Sequence, residues 1–439
     1  MTSRDALLKR IDESLGERCL VWFGIRGSDA GSLLQLRQFR DAFSITDALP
    51  AAKMRTSVAL EDLTGRRVDL DSYDIDYDDG PHVQRLRLQI LTLLRQQAAV
   101  AAYRPSHFLS AIGFASFPAA DMLGLFKDRQ TAFEHKPWVE TELQRRGIRT
   151  VEWSYVAAEH RHVIRERLSA GPLVLRPNRT SGGAGVLLLN SEDQLDQLPT
   201  DDSDHFVGVS DFMGNAIPLN VGAVVWASGQ ITLHPASIQL IGLPSCTSRR
   251  FGYCGNDFAA FELLDPSVVT EVEALTLRIG TWLANLGYLG AFGVDYLLNE
   301  DTLLFAEINA RLQGSTAVSA AMAARAGHSD IVLEHVAAGL GLEPVMSMTL
   351  QDWASELPPT SQVIVHNARH QPARVEGTPS TIAKDWRIEL TPSRDLFIEP
   401  GAVIARIVAP RQVTRTGFEL DAYTEDLVQS TYTSVLGVP

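Results

Sequence analysis

The first eighteen residues, MTSRDALLKRIDESLGER, are amphipathic and predict an N-terminal helix, after which CLVWFGIRG runs apolar residues together as a buried strand entering a glycine turn. SLLQLRQFRDAF returns to helical spacing, so the chain opens as an α/β unit. The stretch DLDSYDIDYDDGPH is acidic and rich in turn formers, which predicts a solvated surface loop, with a metal site as the alternative. A long helical pattern then runs through VQRLRLQILTLLRQQAAVAAY to the neighbourhood of Pro105, and a small first domain closes near residue 110.

A helix over residues 134–146 stops at Gly147, and IRTVEWSYV reads as a strand. PLVLRP and GVLLLN are apolar strands joined by NRTSGGAG, a hairpin with a glycine-rich tip. HFVGVSDFM, IPLNVGAVVWA and ITLHPASIQLI alternate as strands, residues 266–287 form a helix, and AFGVDYLL and TLLFAEINA make a hairpin around Asn299 to Asp301. A further helix spans 317–340. Beyond Pro358, the segments SQVIVHN, VEGTP, WRIEL and GAVIARIVAP predict a β-rich C-terminal module with a last helix near 421–433. The division is therefore 1–110, 111–355 and 356–439.

A chain of 439 residues is too long for one core and suits about two to three domains. With 45% hydrophobic and 21% charged residues it has an ordinary globular composition. The net charge of −14 argues against nucleic acid or anionic membrane as a partner, since phosphate binding needs a basic field. Cys19, Cys246 and Cys254 make no metal-like pairs and no even framework, which favours a reducing cytoplasm, with Cys246 and Cys254 as a thiol pair the alternative. The N-terminus lacks a signal-peptide core, and no apolar run reaches the roughly 20 residues a membrane span needs.

The segment GVDYLLNEDTLLFAEINARLQGST carries the most chemistry. Strand alternation sets Leu303, Phe305, Glu307, Asn309 and Arg311 on one side and Leu304, Ala306 and Ile308 on the other. An odd hairpin loop brings Asp295 directly across from Glu307, and an even loop makes them diagonal neighbours. Carboxylates about 5 Å apart repel by roughly 0.8 kcal/mol in water and about 3 kcal/mol at an effective dielectric near 20, so inside a cleft they call for a cation. Hard oxygen ligands of this kind suit Mg²⁺. The alternative is a half-exposed strand whose polar face meets water.

In RPNRTSGGAGV, the glycines, Gly182 and Gly183 among them, let backbone N–H groups approach an anion, while Arg176 and Arg179 supply positive charge. The loop is neither a Walker loop nor a dinucleotide fingerprint, because a strand follows it, and a plain turn is the alternative. Arg249 and Arg250, in PSCTSRRFGYCGNDF, are either solvated surface or a grip on an acyl phosphate or acidic substrate.

Taken in order, these features resemble the ATP-grasp superfamily over about residues 125–345, with Glu307-Ile308-Asn309-Ala310-Arg311 as the strongest match. The flanks, GYCGNDF and the β-rich tail, look like the pheganomycin-type peptide ligases. The resemblance implies an ATP-grasp fold of α/β (α+β) multidomain class, with an N-terminal α/β pre-ATP-grasp domain and a C-terminal β-rich module. It implies Lys136 at the α-phosphate and Arg176 where most members carry a second phosphate-binding lysine. Val209-Ser210-Asp211-Phe212-Met213-Gly214 matches the adenine hinge, pairing the base edge through the backbone of Asp211 and Met213, with Ser210 in place of the usual glutamate. Asn220 joins the cofactor-binding set, Asp295, Glu307 and Asn309 match the magnesium ligands, and Arg311, with Arg249 and Arg250, the catalytic set. The implied activity is ATP-dependent ligation of a carboxylic acid or amino acid to an amine or peptide acceptor through an acyl phosphate. Two Mg²⁺ ions, or Mn²⁺, accompany the ATP, and a homodimer is open. The alternatives are a nucleotide-binding regulator without catalysis and a phosphotransferase.

Overall fold

The computed structural model describes residues 2–50, 52, 54–94, 97–104, 120–123, 132–157, 160–177, 182–197, 206–377, 385–389 and 396–437. Pro105, the expected boundary near residue 110, Arg179 and the end of VEGTP lie outside the described residues.

The chain begins with the helix Ser3–Leu15, whose N-terminus is closed by a reciprocal cap between Thr2 and Asp5. Leu7, Ile11 and Leu15, four residues apart, form its buried stripe. Strands β1 (Cys19–Arg26), β2 (Phe39–Thr46), β3 (Thr56–Ala59), β5 (Ala98–Ala102) and β6 (Ala120–Leu123) make a parallel sheet in the order β3-β2-β1-β5-β6, while β4 (Arg66–Arg67) lies apart from it. The unbroken apolar run of β1 follows from burial on both faces. Leu20 and Trp22 pack in the cluster of the first helix, and Val21 and Phe23 in that of the helix Pro81–Leu94.

Three helical expectations are corrected. SLLQLRQFRDAF is a short 3-10 stretch, Gly27–Gln35, followed by β2, because Phe39, Phe43 and Ile45 gain more from burial beside β1 than the local period offers. The long helix ends at Leu94, and AAVAA becomes the fully buried strand β5, whose small side chains fit between the helices on either face. The helix expected over 317–340 is two, Thr316–Arg325 and Ile331–Gly339, separated at Gly327 with φ +79°. Asp330 then caps the second through the N–H groups of Val332 and Leu333.

The middle of the chain holds two antiparallel sheets. The smaller has β7 (Ser154–Ala157), β8 (Leu173–Pro177), β9 (Leu187–Leu189) and β10 (Phe206–Asp211) in the order β7-β10-β8-β9. The larger starts with β11 (Ile217–Val225), β12 (Ile231–Ile241), β13 (Tyr253–Asp257), β14 (Gly290–Asn299) and β15 (Thr302–Asn309). The helix Pro266–Asn285 covers one of its faces through Val272, Ile279 and Leu283, against Val221, Val294 and Tyr296. β13, which follows Arg249 and Arg250 in the chain, is held between β12 and β16 (Ser361–His366).

Beyond residue 356, β16 and β20 (Val403–Ala409) continue the larger sheet and β18 (Arg387–Glu389) forms its edge, giving eight strands in the order β15-β14-β11-β12-β13-β16-β20-β18. The remaining strands, β17 (Ala373–Arg374) and β19 (Phe397–Ile398), pair with each other, and β19 pairs with β4 of the first part. The last helix is Ala422–Leu436. Cys246 and Cys254 are buried free thiols in the core of this C-terminal region; the Cys254 thiol donates to the Gly252 carbonyl at 3.3 Å, and the neighbouring Cys254 together with burial pushes the Cys246 thiol up. Among the described residues no helix is long and apolar enough to cross a membrane.

Candidate active site

A large cleft lies between the smaller sheet and the open face of the larger one, and residues from both flanking parts of the chain also line it. Its acidic floor comes from β14 and β15. Asn299 pairs with Thr302, so only Glu300 and Asp301 form the turn, an even loop that alone would make Asp295 and Glu307 diagonal. A β-bulge intervenes: Asp295 pairs with Glu307 while Tyr296 pairs with Phe305, leaving Ala306 as the extra residue. The bulge also reverses the alternation expected of the strand. Leu303 and Phe305 point into the core, as does Ile308, whereas Ala306, Glu307 and Asn309 line the cleft. The one-sided face expected for Leu303 through Arg311 is therefore corrected at Ala306.

Around Asp295 the larger sheet supplies amide donors. Asn220, its cross-strand partner on β11, donates at 2.6 Å, Gln239 of β12 at 3.1 Å and Asn309 at 3.0 Å. Burial and then the neighbouring Glu307 push the Asp295 carboxyl up to about 7. Glu307 is ion-paired with the buried ammonium of Lys136 from the helix Lys136–Arg145. Arg311 also reaches the cleft, held by Glu134 at 3.1 Å. Two carboxylates and the Asn309 amide oxygen are a hard donor set. Among the described residues no three His, Cys, Asp or Glu side chains converge into a cage, but Mg²⁺ needs only one or two carboxylates with nucleotide phosphates, so the residues fit that ion.

The opposite wall is the smaller sheet. Arg176 on β8 is buried with its guanidinium 3.7 Å from the centre of the Trp153 ring, donates to the Tyr155 hydroxyl at 3.0 Å and is ion-paired with Glu140. Glu140 sits one helical turn after Lys136, so one helix orients both of these cations. Burial raises the Glu140 carboxyl. Ser210, Asp211, Phe212 and Met213 form the edge of the slot, with Val151, Trp153, Val174 and Leu297 as apolar walls suited to a flat base. The buried Ser210 hydroxyl is bonded to the neighbouring Asp211 carbonyl at 3.4 Å.

Gly182 and Gly183 of the glycine-rich loop line the cleft, at φ +54° and φ +76°. A Cβ on Gly183 would lie 1.9 Å from the Phe251 carbonyl oxygen, and one on Gly182 2.1 Å from the Asp71 carboxylate, so glycine is required by contact as well as by conformation. Asp71 belongs to the acidic stretch expected as a solvated loop. The structure corrects this: Asp69 is buried, and both side chains line the cleft and pair with Arg249. Arg250 is exposed and does not line the cleft, because the backbone turns there to pack its carbonyl against Gly242. The arginine pair is thus divided.

Trp153, Glu140, Tyr155, Gln239, Tyr253, Asn256 and His366 complete the site without having been singled out in the sequence. Only Glu140 carried a signal, its spacing from Lys136. The others are brought in by sheet pairing across large sequence separations.

Residues 154–315 match the family model described as the ATP-grasp domain. No curated protein sequence matches the chain. Among solved structures, pyruvate carboxylase from Rhizobium etli is similar at 18% identity over 90% of this chain, with a TM-score of 0.63, and this chain spans 36% of that one. Biotin carboxylase from Campylobacter jejuni, in its β,γ-ATP complex, is 14% identical over 99% of this chain and 90% of its own, with a TM-score of 0.58. N5-carboxyaminoimidazole synthetase from Staphylococcus aureus is 11% identical, covering 94% and 97%, with a TM-score of 0.60. At these identities the likeness is one of fold, and the fold is an ATP-grasp domain within a mixed α/β multidomain chain.

Proposed function

We propose that the chain is an ATP-dependent carboxylate–amine ligase. In this reading it joins a small carboxylic acid or amino acid to an amine or peptide acceptor through an acyl phosphate, with release of ADP and phosphate. The observation that carries the reading is the Asp295–Glu307 pair facing into a cleft opposite Arg176 and the glycine-rich tip, with Lys136 and Arg311 beside it. Residues 111–355 would then be the nucleotide-binding unit, flanked by 1–110 and 356–439. The pheganomycin-type likeness of the flanks favours a peptide as the acceptor.

Lys136 and Arg176 would hold the phosphate chain, and the backbone along Ser210 to Met213 the base edge. Asp295, Glu307 and Asn309 would hold Mg²⁺, which when bound neutralises charge on the phosphate oxygens. An oxygen of the substrate carboxylate attacks the γ-phosphorus and ADP departs. Arg311 is placed to meet the charge that develops on the transferred group. The amine nitrogen, in its neutral form, then attacks the acyl carbon, phosphate leaves, and the nitrogen's proton passes to the departing phosphate. Gly182 and Gly183 allow the tip to close over the site and exclude water, which would hydrolyse the intermediate.

The test is incubation with Mg-ATP and pools of carboxylates and amines, bicarbonate included because the structural neighbours include carboxylases, followed by mass analysis. Amide product with ADP release that requires both partners supports the ligase. ADP release with a phosphorylated acceptor and no amide points to a phosphotransferase, and nucleotide binding without turnover to a regulator.

A further inference from the structure

One part of the cleft lining is built where the three parts of the chain meet. Asp69 and Asp71 come from the N-terminal part, Arg249 from the loop before β13, and His366 and Gly401 from the C-terminal part. Gly401 is close enough that a Cβ there would lie 3.0 Å from the Asp69 carboxyl carbon and 3.4 Å from the Arg249 guanidinium. The Asp69 and Arg249 charges also act on His366.

His366 is 6% exposed and lines the cleft. Its Nδ1 lies 3.2 Å from the Cys246 carbonyl, which can only accept, so Nδ1 carries the proton and Nε2 presents a lone pair. Among the described residues Nε2 has no hydrogen-bond partner. Burial holds the imidazole down to about 4, in its neutral form. In the same lining, the Asp69 and Asp71 carboxylates face the one Arg249 guanidinium, leaving one negative charge in excess. Burial, and then Asp69, raise the Asp71 carboxyl, the response of a carboxylate short of a cation.

The other arginines near these groups are committed: Arg26 to Asp29, Arg104 to Asp74, Arg311 to Glu134, and Arg406 to Asp47. An anionic ligand would therefore meet excess negative charge and a lone pair. A primary ammonium, with three donors and one positive charge, matches both. The glycine tip rests on Asp71, so a group held here lies under the same cover as the phosphates.

We infer that His366 Nε2 and the Asp71 carboxylate, braced by the Asp69–Arg249 pair, form the subsite for the ammonium group of the amine acceptor; this rests on the ligase reading above. Ile364, two residues before His366 on β16, and Val403 line the cleft beside it and suit an apolar substituent on that amine.

The experiment titrates the full chain calorimetrically with glycinamide, leucinamide and phenylalaninamide, and with N-acetyl-leucinamide, which lacks the ammonium. At least one amide is expected to bind at least tenfold more tightly than the acetylated compound. Asp71→Asn and His366→Phe should each weaken that binding at least tenfold, with ADP affinity in His366→Phe within about twofold of the parent. Equal binding of the acetylated compound, no binding of any amide, or unaltered affinity in both variants overturns the subsite. Hydroxylamine trapping of an acyl phosphate from Mg-ATP and the acid pool separates the two claims. Hydroxamate without amide binding removes the subsite alone, whereas amide binding without hydroxamate removes the ligase and leaves the ammonium site.

Discussion

Asp295 faces Glu307 across β14 and β15 because Ala306 is extruded between two otherwise regular stretches of pairing. The bulge re-aims the end of β15 so that an acidic side chain leaves the core side and enters the cleft. The cost is two carboxylates in close company, one of them held at about 7 by burial and its neighbour.

Glu307→Gln should therefore separate function from stability. The amide keeps an oxygen acceptor for Lys136 and relieves the repulsion on Asp295, so the unfolding free energy should change by no more than about 1 kcal/mol. On the proposed reading, in which Glu307 is a cation ligand, ADP formation should fall about a hundredfold or more. Denaturant melts and a coupled ADP assay read the two, and a parallel loss would mean the residue serves the fold.

Arg176 stands on Trp153 and against Tyr155 and Glu140, a geometry that a planar fork satisfies and an ammonium does not. Arg176→Lys should lower ADP affinity about tenfold and stability by about 1–2 kcal/mol. Arg176→Met, which leaves Glu140 buried without its cation, should cost about 3–5 kcal/mol. Calorimetry with ADP and urea unfolding check both, and equal effects of the two substitutions would rule out the role given to the fork.

At Gly183, alanine adds one methyl group where the Phe251 carbonyl already stands. The tip can escape the clash by lifting off the cleft. Gly183→Ala, and Gly183→Pro more so, should depress turnover about tenfold or more while the melting temperature moves by only a few degrees. Unchanged turnover would show that the tip is not a lid.

The hinge lacks a glutamate at position 210, and the serine there is bonded to its own neighbour's carbonyl. If this strand meets the base as proposed, no carboxylate at position 210 would accept from the adenine amino group, and discrimination would rest on the strand edge. ADP and GDP should bind within about tenfold of each other, a comparison fluorescence competition can make. A preference of a thousandfold would place the adenine acceptor elsewhere.

Much of this site was legible because its pieces are local. The hairpin carrying Asp295 and Glu307, the glycine-rich tip and the helix bearing Lys136 each fit a short window of sequence. What escaped is set by pairing at long range. Nothing near Ala306 marks it as a bulge, because a bulge is the mismatch between two strands' registers. The run containing Asp69 and Asp71 has the composition of a solvated loop, and only Arg249, 180 residues away from Asp69, makes its burial tolerable. β2 and β5 were mistaken for helix because their neighbours, more than their own periodicity, determine what they become.

Acid should destabilise the fold through His335. Its Nδ1 accepts the Ala291 N–H at 3.0 Å beneath the start of β14, where Gly290 leaves room for the ring. Burial lowers the imidazole from its usual 6.5 to about 4. The unfolded chain takes up the proton near 6.5 and the folded one only near 4, so in that window the unfolded state binds more protons. The contribution is complete above about pH 6.5 and is lost as pH falls, amounting to about 2 kcal/mol between pH 7 and 5. His335→Gln keeps an acceptor for Ala291 without titrating, so its stability should fall less over the same range by that amount. Urea unfolding of both proteins at pH 7 and 5 measures the difference, and equal losses would mean that His335 is already charged, or solvated, in the folded state.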